Sequence, residues 1–255
     1  MKSILLIGGG SGVAKLLRRL RKFDGVNLSA IVTTFDSGGS TGVLRKRFGM
    51  PAVGDLRNAN SALLPAEFAE LLESRLPNGH AVGNLILAYL TQQYGFERAT
   101  QLFLDPRIIP VSYAARDLIA TLANGKKLVG EHLLDEPPAK WQDVRITELS
   151  LSASAALNPA ARRAIAAADL IVVGPGSLFG SLLVNFLVKD LARVVHASRA
   201  KKILVLPARQ AFGHKGETVK ESVRRFPVTF DEVWTTKDPK WDRKKLAKRI
   251  VSILR

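Results

Sequence analysis

The chain has 255 residues, 47% of them hydrophobic, which suits one large α/β domain or two small ones and excludes a disordered chain. It has no cysteine, which excludes disulfides, thiolate metal sites, iron–sulfur ligation and cysteine nucleophiles and agrees with a reducing, cytoplasmic setting. Its 38 basic and 22 acidic residues leave a net charge of +16, a field that attracts phosphates, nucleotides, nucleic acid or anionic lipid without choosing among them.

Met1 to Val13 begins with Lys2 and a short apolar run that Gly8, Gly9 and Gly10 cut off, so it reads as a strand and not as a signal peptide. Ser3 to Ile7 is that strand, followed by the turn GGGSG and a helix marked by Val13, Leu16, Leu17 and Leu20. Leu28 to Thr34 predicts a second strand, Ala81 to Tyr94 and Phe96 to Leu104 two helices, and Ile108 to Val111 a third strand. Leu118 to Ala123 and Lys126 to Gly130 flank Asn124-Gly125, the strongest short hairpin signal, so a β-hairpin interrupts the series. Asn158 and Pro159 cap an alanine-rich helix that leads into a strand from Asp169 to Val173. Leu170 to Val188 is uncharged and long, but Gly174, Pro175 and Gly176 split it into a strand and the start of a helix running from Leu178 to about Ala197; no membrane span is expected. Ile203 to Leu206 closes a further β-α-β unit, and Trp241 to Leu254 is an amphipathic helix with Trp241, Leu246, Ile250 and Ile253 on one side. This alternation predicts an α/β fold with a doubly wound, mostly parallel sheet between two helical layers. Residues 1 to 255 read as one domain with an inserted β-hairpin and a basic terminal helix at about 239 to 255.

Ligands of open parallel sheets bind outside the carboxyl ends of the strands, and the unusual residues fall there. GGGSG follows the first strand, Asp36 to Gly42 the second, GPGSLFGS from Gly174 to Ser181 the Asp169 strand, and PARQ from Pro207 the Ile203 strand. Phe35 to Asn58, FDSGGSTGVLRKRFGMPAVGDLRN, buries apolar surface poorly and is either backbone shaped for a phosphorylated ligand or an ordinary polar loop. The GGGSG turn (Gly9, Gly10, Ser11, Gly12) and the GPGS turn (Gly174, Gly176, Ser177, then Leu178 and Ser181) each lead into a helix, so amides and a positive helix end face an anion. The first lacks the third glycine of G-x-G-x-x-G, and a tight turn with no ligand has the same sequence. Gly38, Gly39 and Ser40 make a similar loop beside Asp36, which is placed either for a ribose hydroxyl or for a magnesium ion that bridges phosphates. Arg45 and Arg57 suit bidentate phosphate contacts, although Asp55 and Arg57 are equally a capping acid and a surface cation. GHAVGN, ending in Gly83 and Asn84, is a plain loop before a helix or the last part of the site.

Gly38 to Gly42 also fits G-x-S-x-G, but a nucleophile elbow is rejected because Gly49 and Pro51 stop any long helix after Ser40 and nothing marks a dedicated base. Gly213 to Thr218 lacks the spacing of a Walker loop. His80, His132, His196 and His214 show no metal spacing and read as surface or core residues. Basic clusters at Arg18, Arg19, Arg21 and Lys22, at Arg224 and Arg225, and from Lys237 to Arg249 read first as solvated faces; the cluster at Arg45, Lys46 and Arg47 does not.

Taken together, these motifs resemble the YvcK and CofD-like family over residues 1 to about 190. GGGSG stands for the family's GGGTG, FDSGGSTGVLRK for ADDGGSSGRLR, VGDLRN for PPGDLRN, GHAVGN for GHxxGN, and ADLIVVGPGSLFGSLLVN for ADLIVIGPGSLYTSILPN, with a hairpin ending in GEH between the last two. The resemblance implies a Rossmann-like fold and homodimers. It also implies one of two activities. CofD is a magnesium-dependent transferase that moves a phospholactyl group from a guanosine diphosphate conjugate to a deazaflavin; YvcK-type proteins bind UDP-sugars and affect gluconeogenic growth and cell shape. The local motifs are closer to YvcK, so the expected ligand is a UDP-sugar or another nucleotide diphosphate, held by the turns named above with Asn58 of the GDLRN element. The alternative is a CofD-like transferase with Asp36 on magnesium, Asp55 at the reacting centre and Arg57 offsetting developing charge. A third class, nucleic-acid binding through the net charge, lacks aromatic-basic interleaving. Ser37 replaces the second acid of the family's ADDGG element, and the family's downstream N-x-M-T-Q-x-G-E-T element is matched only by LPARQAFGHKGET, with Gln210 and Gly216 to Thr218 as nearest equivalents.

Overall fold

Four consecutive apolar residues, Ile4 to Ile7, set the centre of the molecule in the computed structural model, which describes residues 1–135, 137–207, 217–236 and 243–254. They lie in strand β1 (Lys2–Gly8) and are fully buried on both faces, as an interior parallel strand requires. Ile4 and Leu6 enter one core and Leu5 and Ile7 the other, following the two-residue period of a strand. Helix α1 (Gly10–Leu20) buries Val13, Leu16, Leu17 and Leu20 in the first core.

The chain continues through β2 (Val26–Val32), α2 (Gly39–Phe48), α3 (Gly54–Ser61), α4 (Ala66–Glu73), α5 (Val82–Tyr94), α6 (Phe96–Phe103) and β3 (Ile108–Pro110). An inserted region then supplies β4 (Leu118–Leu122), β5 (Lys127–Val129), a short helix α7 (His132–Asp135) and β6 (Ile146–Leu151). The remainder is α8 (Pro159–Ala167), β7 (Leu170–Val173), α9 (Leu191–Ala197), β8 (Lys201–Pro207), α10 (Val219–Arg224), β9 (Glu232–Thr236) and α11 (Arg243–Ser252).

The six-stranded sheet is parallel throughout, in the order β3-β2-β1-β7-β8-β9. This doubly wound order reverses direction between β1 and β7, the place where such sheets open a crevice. The insertion forms a separate antiparallel sheet, β5-β4-β6. Its hairpin turns at Asn124-Gly125 as the sequence predicts, with Gly125 at φ 79° and the Asn124 side chain accepting from the Lys126 amide at 3.1 Å. The Asn158 side chain caps α8 by accepting from the Ala160 amide at 2.8 Å, with Pro159 in the first turn. Among the described residues no helix is long and apolar enough to cross a membrane.

Several elements differ from expectation. The helix predicted from Leu178 to Ala197 is three pieces: a π-helical turn (Leu178–Leu182), a 3-10 turn (Leu183–Leu187) and α9. The Asn185 side chain donates to the carbonyls of Ser181 and Leu182, and Asp190 is left-handed at φ 72°, so the regular helix is interrupted on both sides. β6, β9, α2, α3, α4, α7 and α10 are additional to the expected elements. Trp241 and the PARQ segment beyond Pro207, including Gln210, His214 and Gly216, lie outside the described residues, as do Lys237 to Asp242 of the last basic cluster.

The two turns at the switch point meet directly: a Cβ on Gly12 would collide with the Pro175 carbonyl, and one on Gly10 would touch Ser181 Oγ at 3.3 Å. Gly12→Val is therefore expected to cost about 1–3 kcal/mol in urea denaturation, as over-packing against backbone does. Exposed Ser11→Ala should stay within about 0.5 kcal/mol of the parent.

Candidate functional site

The GGGSG turn is extended at Gly9 and left-handed at Gly10, φ 66°, so that the backbone passes under α3. The Gly10 N–H, which has no partner within the helix, donates to Asp55 Oδ2 at 2.6 Å. A carboxylate thus sits on the positive end of α1, where its charge is stabilised. Glycine is required at position 9 because a Cβ there would strike Thr33 and lie 2.6 Å from the same carboxylate oxygen. Asp55 belongs to the first turn of α3, so GDLRN braces GGGSG beyond the carboxyl end of β1.

Asp36 follows β2, and its Oδ1 accepts from the Gly38 amide at 2.9 Å. The second oxygen, Oδ2, has no hydrogen bond among the described residues and faces Gly54, where an added Cβ would lie 3.2 Å away and would also strike Thr41 Oγ1. The glycine of GDLRN therefore lets the starts of α2 and α3 approach. Ser40, in the first turn of α2, contacts His80 Nδ1 at 2.9 Å and accepts from Asn84 Nδ2 at 3.1 Å. Ser37 Oγ accepts from the His132 amide at 3.0 Å and contacts His132 Nδ1 at 2.8 Å, fastening the end of the hairpin to the Asp36 loop. Arg45 braces the loop from outside by donating to the carbonyls of Asp36 and Arg116 at 3.1 and 2.7 Å and pairing with Asp117 at 3.1 Å.

Arg57 is buried, with 6% of its surface exposed. Its stem runs beneath Gly83, where a Cβ would lie 2.8 Å from Cγ, and its Nη2 donates to Asn58 Oδ1 at 2.6 Å. Burial lowers its proton affinity, Arg75 lowers it further, and Glu73, Asp55 and Asp36 oppose both. It remains a cation at any physiological pH. On the far side, Gly174 is left-handed at φ 100° beside the Val205 carbonyl, and the following peptide to Pro175 is cis. Ser177 Oγ donates to Ser181 Oγ at 3.1 Å inside this turn. Gly180 of the π-helical turn accommodates the buried Glu131 side chain, so GEH docks here as well.

Four buried polar atoms around these loops have no partner among the described residues: Thr33 Oγ1 beside Gly9, Arg45 Nε beside the Asp36 loop, Asn84 Oδ1 beside Ser40, and Arg57 Nε. Each costs about 1–3 kcal/mol when left unpaired in a closed interior.

The sequence model described as 2-phospho-L-lactate transferase CofD matches residues 4–235. The chain belongs to the CofD family. Within that family it is similar to the gluconeogenesis factor of Bacillus subtilis, 35% identical over 215 residues, 79% of this chain and 66% of that protein. A protein of Aquifex aeolicus, provisionally named a gluconeogenesis factor, is 42% identical over 219 residues, 80% of this chain and 66% of its own length. The chain therefore spans about two thirds of these curated relatives. A crystal structure of a Bacillus halodurans protein described as a member of the upf0052 family superposes with a TM-score of 0.80 at 28% identity, covering 97% of this chain and 85% of that one. The YvcK and CofD-like resemblance and the doubly wound α/β expectation both hold.

Against this CofD-family background, the structure gathers Asp36, Gly38, Gly39, Ser40, Asp55, Arg57, Asn58, Gly83 and Asn84 on one side of the crevice. Gly9 to Gly12 stand at the switch point, with Gly174, Gly176, Ser177, Leu178 and Ser181 opposite. Gly83 acts through packing, by admitting the Arg57 stem. Of the two grounds for rejecting a nucleophile elbow, the first holds, since left-handed Gly49 ends α2 eight residues after Ser40, and the second does not, since His80 is at hydrogen-bonding distance. Ser40 nonetheless lacks triad geometry, because Asn84 donates to its Oγ and no described carboxylate orients His80. His80, His132, Ser37, Thr33 and Glu131 were not counted as site residues in the sequence; the histidines of GHAVGN and GEH, each within a family motif, were the signal for two of them. Among the described residues no group of three or more histidines and carboxylates could hold a metal ion by itself.

Asp55→Asn keeps the shape of the brace and removes its charge. It is expected to lower folding stability at pH 7 by about 0.5–2 kcal/mol, the range for a charged or capping group at a helix start, measured by urea denaturation.

Proposed function

We propose that this chain binds a nucleotide diphosphate, of the UDP-sugar class, in the crevice between the Asp36 loop and the GPGS turn. The observation that carries this is the set of buried groups near the loops after β1 and β2 that have no partner among the described residues, Thr33 Oγ1, Arg45 Nε, Asn84 Oδ1 and Arg57 Nε, together with the uncapped start of α2. The α2 start has Gly38 as its N-cap, no side-chain cap and no acid in its first turn, so its amides are suited to phosphate oxygens. Gly10 is different. Its amide already holds Asp55, so the diphosphate is taken by the α2 start and by Ser177 and Ser181, with Ser11 and Gly12 at the margin.

Asp36 fits magnesium, because Oδ2 has no hydrogen-bond partner among the described residues and this ion needs only one or two carboxylates when phosphate and water complete its shell. Bound there, magnesium would supply charge against the diphosphate. Arg57 adds a fixed cation that pays no reorganisation cost, since its stem is locked under Gly83. A CofD-like transfer of a phosphorylated group is the second reading, supported by the family and by the buried Arg57. Ser37 favours binding over transfer: at the position of the family's second acid it is engaged by His132 and offers no second carboxylate.

Calorimetric titration of the intact chain with UDP-N-acetylglucosamine and UDP, with and without magnesium, tests this. Saturable binding that magnesium strengthens is expected, and Asp36→Asn should lose the magnesium effect while melting normally. Arg57→Ala should weaken affinity by about tenfold or more, the worth of a charge-assisted contact. Absence of binding by UDP, GDP and their sugar conjugates would sink the proposal. Binding of a guanosine diphosphate conjugate alone would move it to the transferase reading.

A further inference from the structure

At the opposite end of α1 from the crevice, a cleft of about 890 Å³ opens between α1, α4 and α11. Six cations line it: Lys15, Arg18, Arg19, Arg21, Lys22 and Arg243. Two of these are committed. Arg18 pairs with Glu73, and Arg21 Nη1 donates to the carbonyls of Ala62 and Leu64 at 2.9 and 2.8 Å, closing the end of α3. For Lys15, Arg19, Lys22 and Arg243 no ion pair is formed among the described residues, and Arg243 Nε is buried without a hydrogen-bond partner there. Burial, and then the charge of Arg19, lower the proton affinity of Arg243, so these two guanidinium groups lie close enough to repel each other.

The negative end of the α1 dipole accounts for cations at the last turn of that helix. It does not account for Lys15, a turn earlier, or for Arg243, which a different helix brings to the same cavity. Four like charges collected around a recess, one with a desolvated donor, fit an arrangement that an anion completes. The volume falls in the range of about 300–1,000 Å³ typical of small-ligand pockets. The two acids of the lining, Glu70 and the Arg18-paired Glu73, leave the six cations in excess.

We propose that this cleft is a second ligand site, independent of the nucleotide crevice, that binds a small soluble oligophosphate through Lys15, Arg19, Lys22 and Arg243. Planar guanidinium groups suit bidentate contact with phosphoryl oxygens, and the two lysines supply point charges at the rim. The cluster at Arg18 to Lys22 is then a binding surface and not merely a solvated face.

The probe is inorganic tripolyphosphate, titrated calorimetrically into the intact chain at about 0.15 M ionic strength, with and without saturating UDP. With UDP saturating the crevice, one tripolyphosphate should bind, and the same site should be seen without UDP with its affinity unchanged in Asp36→Asn. Arg19→Gln, at an exposed position, should weaken it about tenfold or more. Arg243→Gln should do the same; if that variant melts early, Arg19→Gln and Lys22→Gln decide. The proposal fails if no tripolyphosphate binds, or if its binding is displaced by UDP and indifferent to Arg19→Gln. It fails equally if a short DNA duplex binds more tightly than tripolyphosphate in an Arg19-dependent way, which would make the cleft a nucleic-acid contact. The titration without UDP scores the cleft even if the crevice takes no nucleotide.

Discussion

The hydrogen bond from the Gly10 amide to the Asp55 carboxylate joins the two halves of the crevice wall. It places a fixed negative charge on the start of α1, in the position where doubly wound folds commonly seat a phosphate. Everything around it is arranged for close approach. Gly9 has no room for a side chain against Thr33 and Asp55, Gly54 has none against Thr41, and Gly12 lies against the Pro175 carbonyl. The glycines of these motifs therefore let backbones meet each other at least as much as they admit a ligand.

With the α1 start occupied, the ligand-facing chemistry moves to its neighbours. The α2 start is uncapped, Asp36 keeps one carboxylate oxygen without a partner among the described residues, and Arg57 is held rigid beneath Gly83 by burial and by its contact with Asn58. The inserted hairpin contributes by docking its end, through His132 on Ser37 and Glu131 on Gly180, so the insertion props up two loops of the crevice at once. A hairpin inserted in the chain between β3 and β7, in a sheet of its own, thereby supports the loops of the crevice.

Much of the fold was legible because its signals are local. The apolar runs of β1 and β7, the Asn124-Gly125 turn and the Asn158-Pro159 cap each act within a few residues. The helices α2 and α3 were not, because they begin in glycine-rich, polar segments whose helical state is fixed by packing, as when Leu44 and Leu56 enter the same core as Met50 and Val53. The strand β6 depends on pairing with the far edge of β4, a contact with no local signature. At the site, residue types were readable and partnerships were not. Asp55, Arg57 and Gly83 could be chosen from the sequence, yet that Asp55 holds Gly10 and that Gly83 shelters Arg57 are facts of long-range contact.

The central claim is that Asp55 is the resident anion of the GGGSG turn and that a nucleotide diphosphate binds beside it. A crystal structure of the chain with UDP and magnesium tests this most directly. The account predicts the diphosphate against Ser177, Ser181 and the amides that open α2, magnesium on Asp36, and the Asp55 bond to Gly10 intact. A phosphate on the Gly10 amide, with Asp55 swung away from the turn, would contradict it.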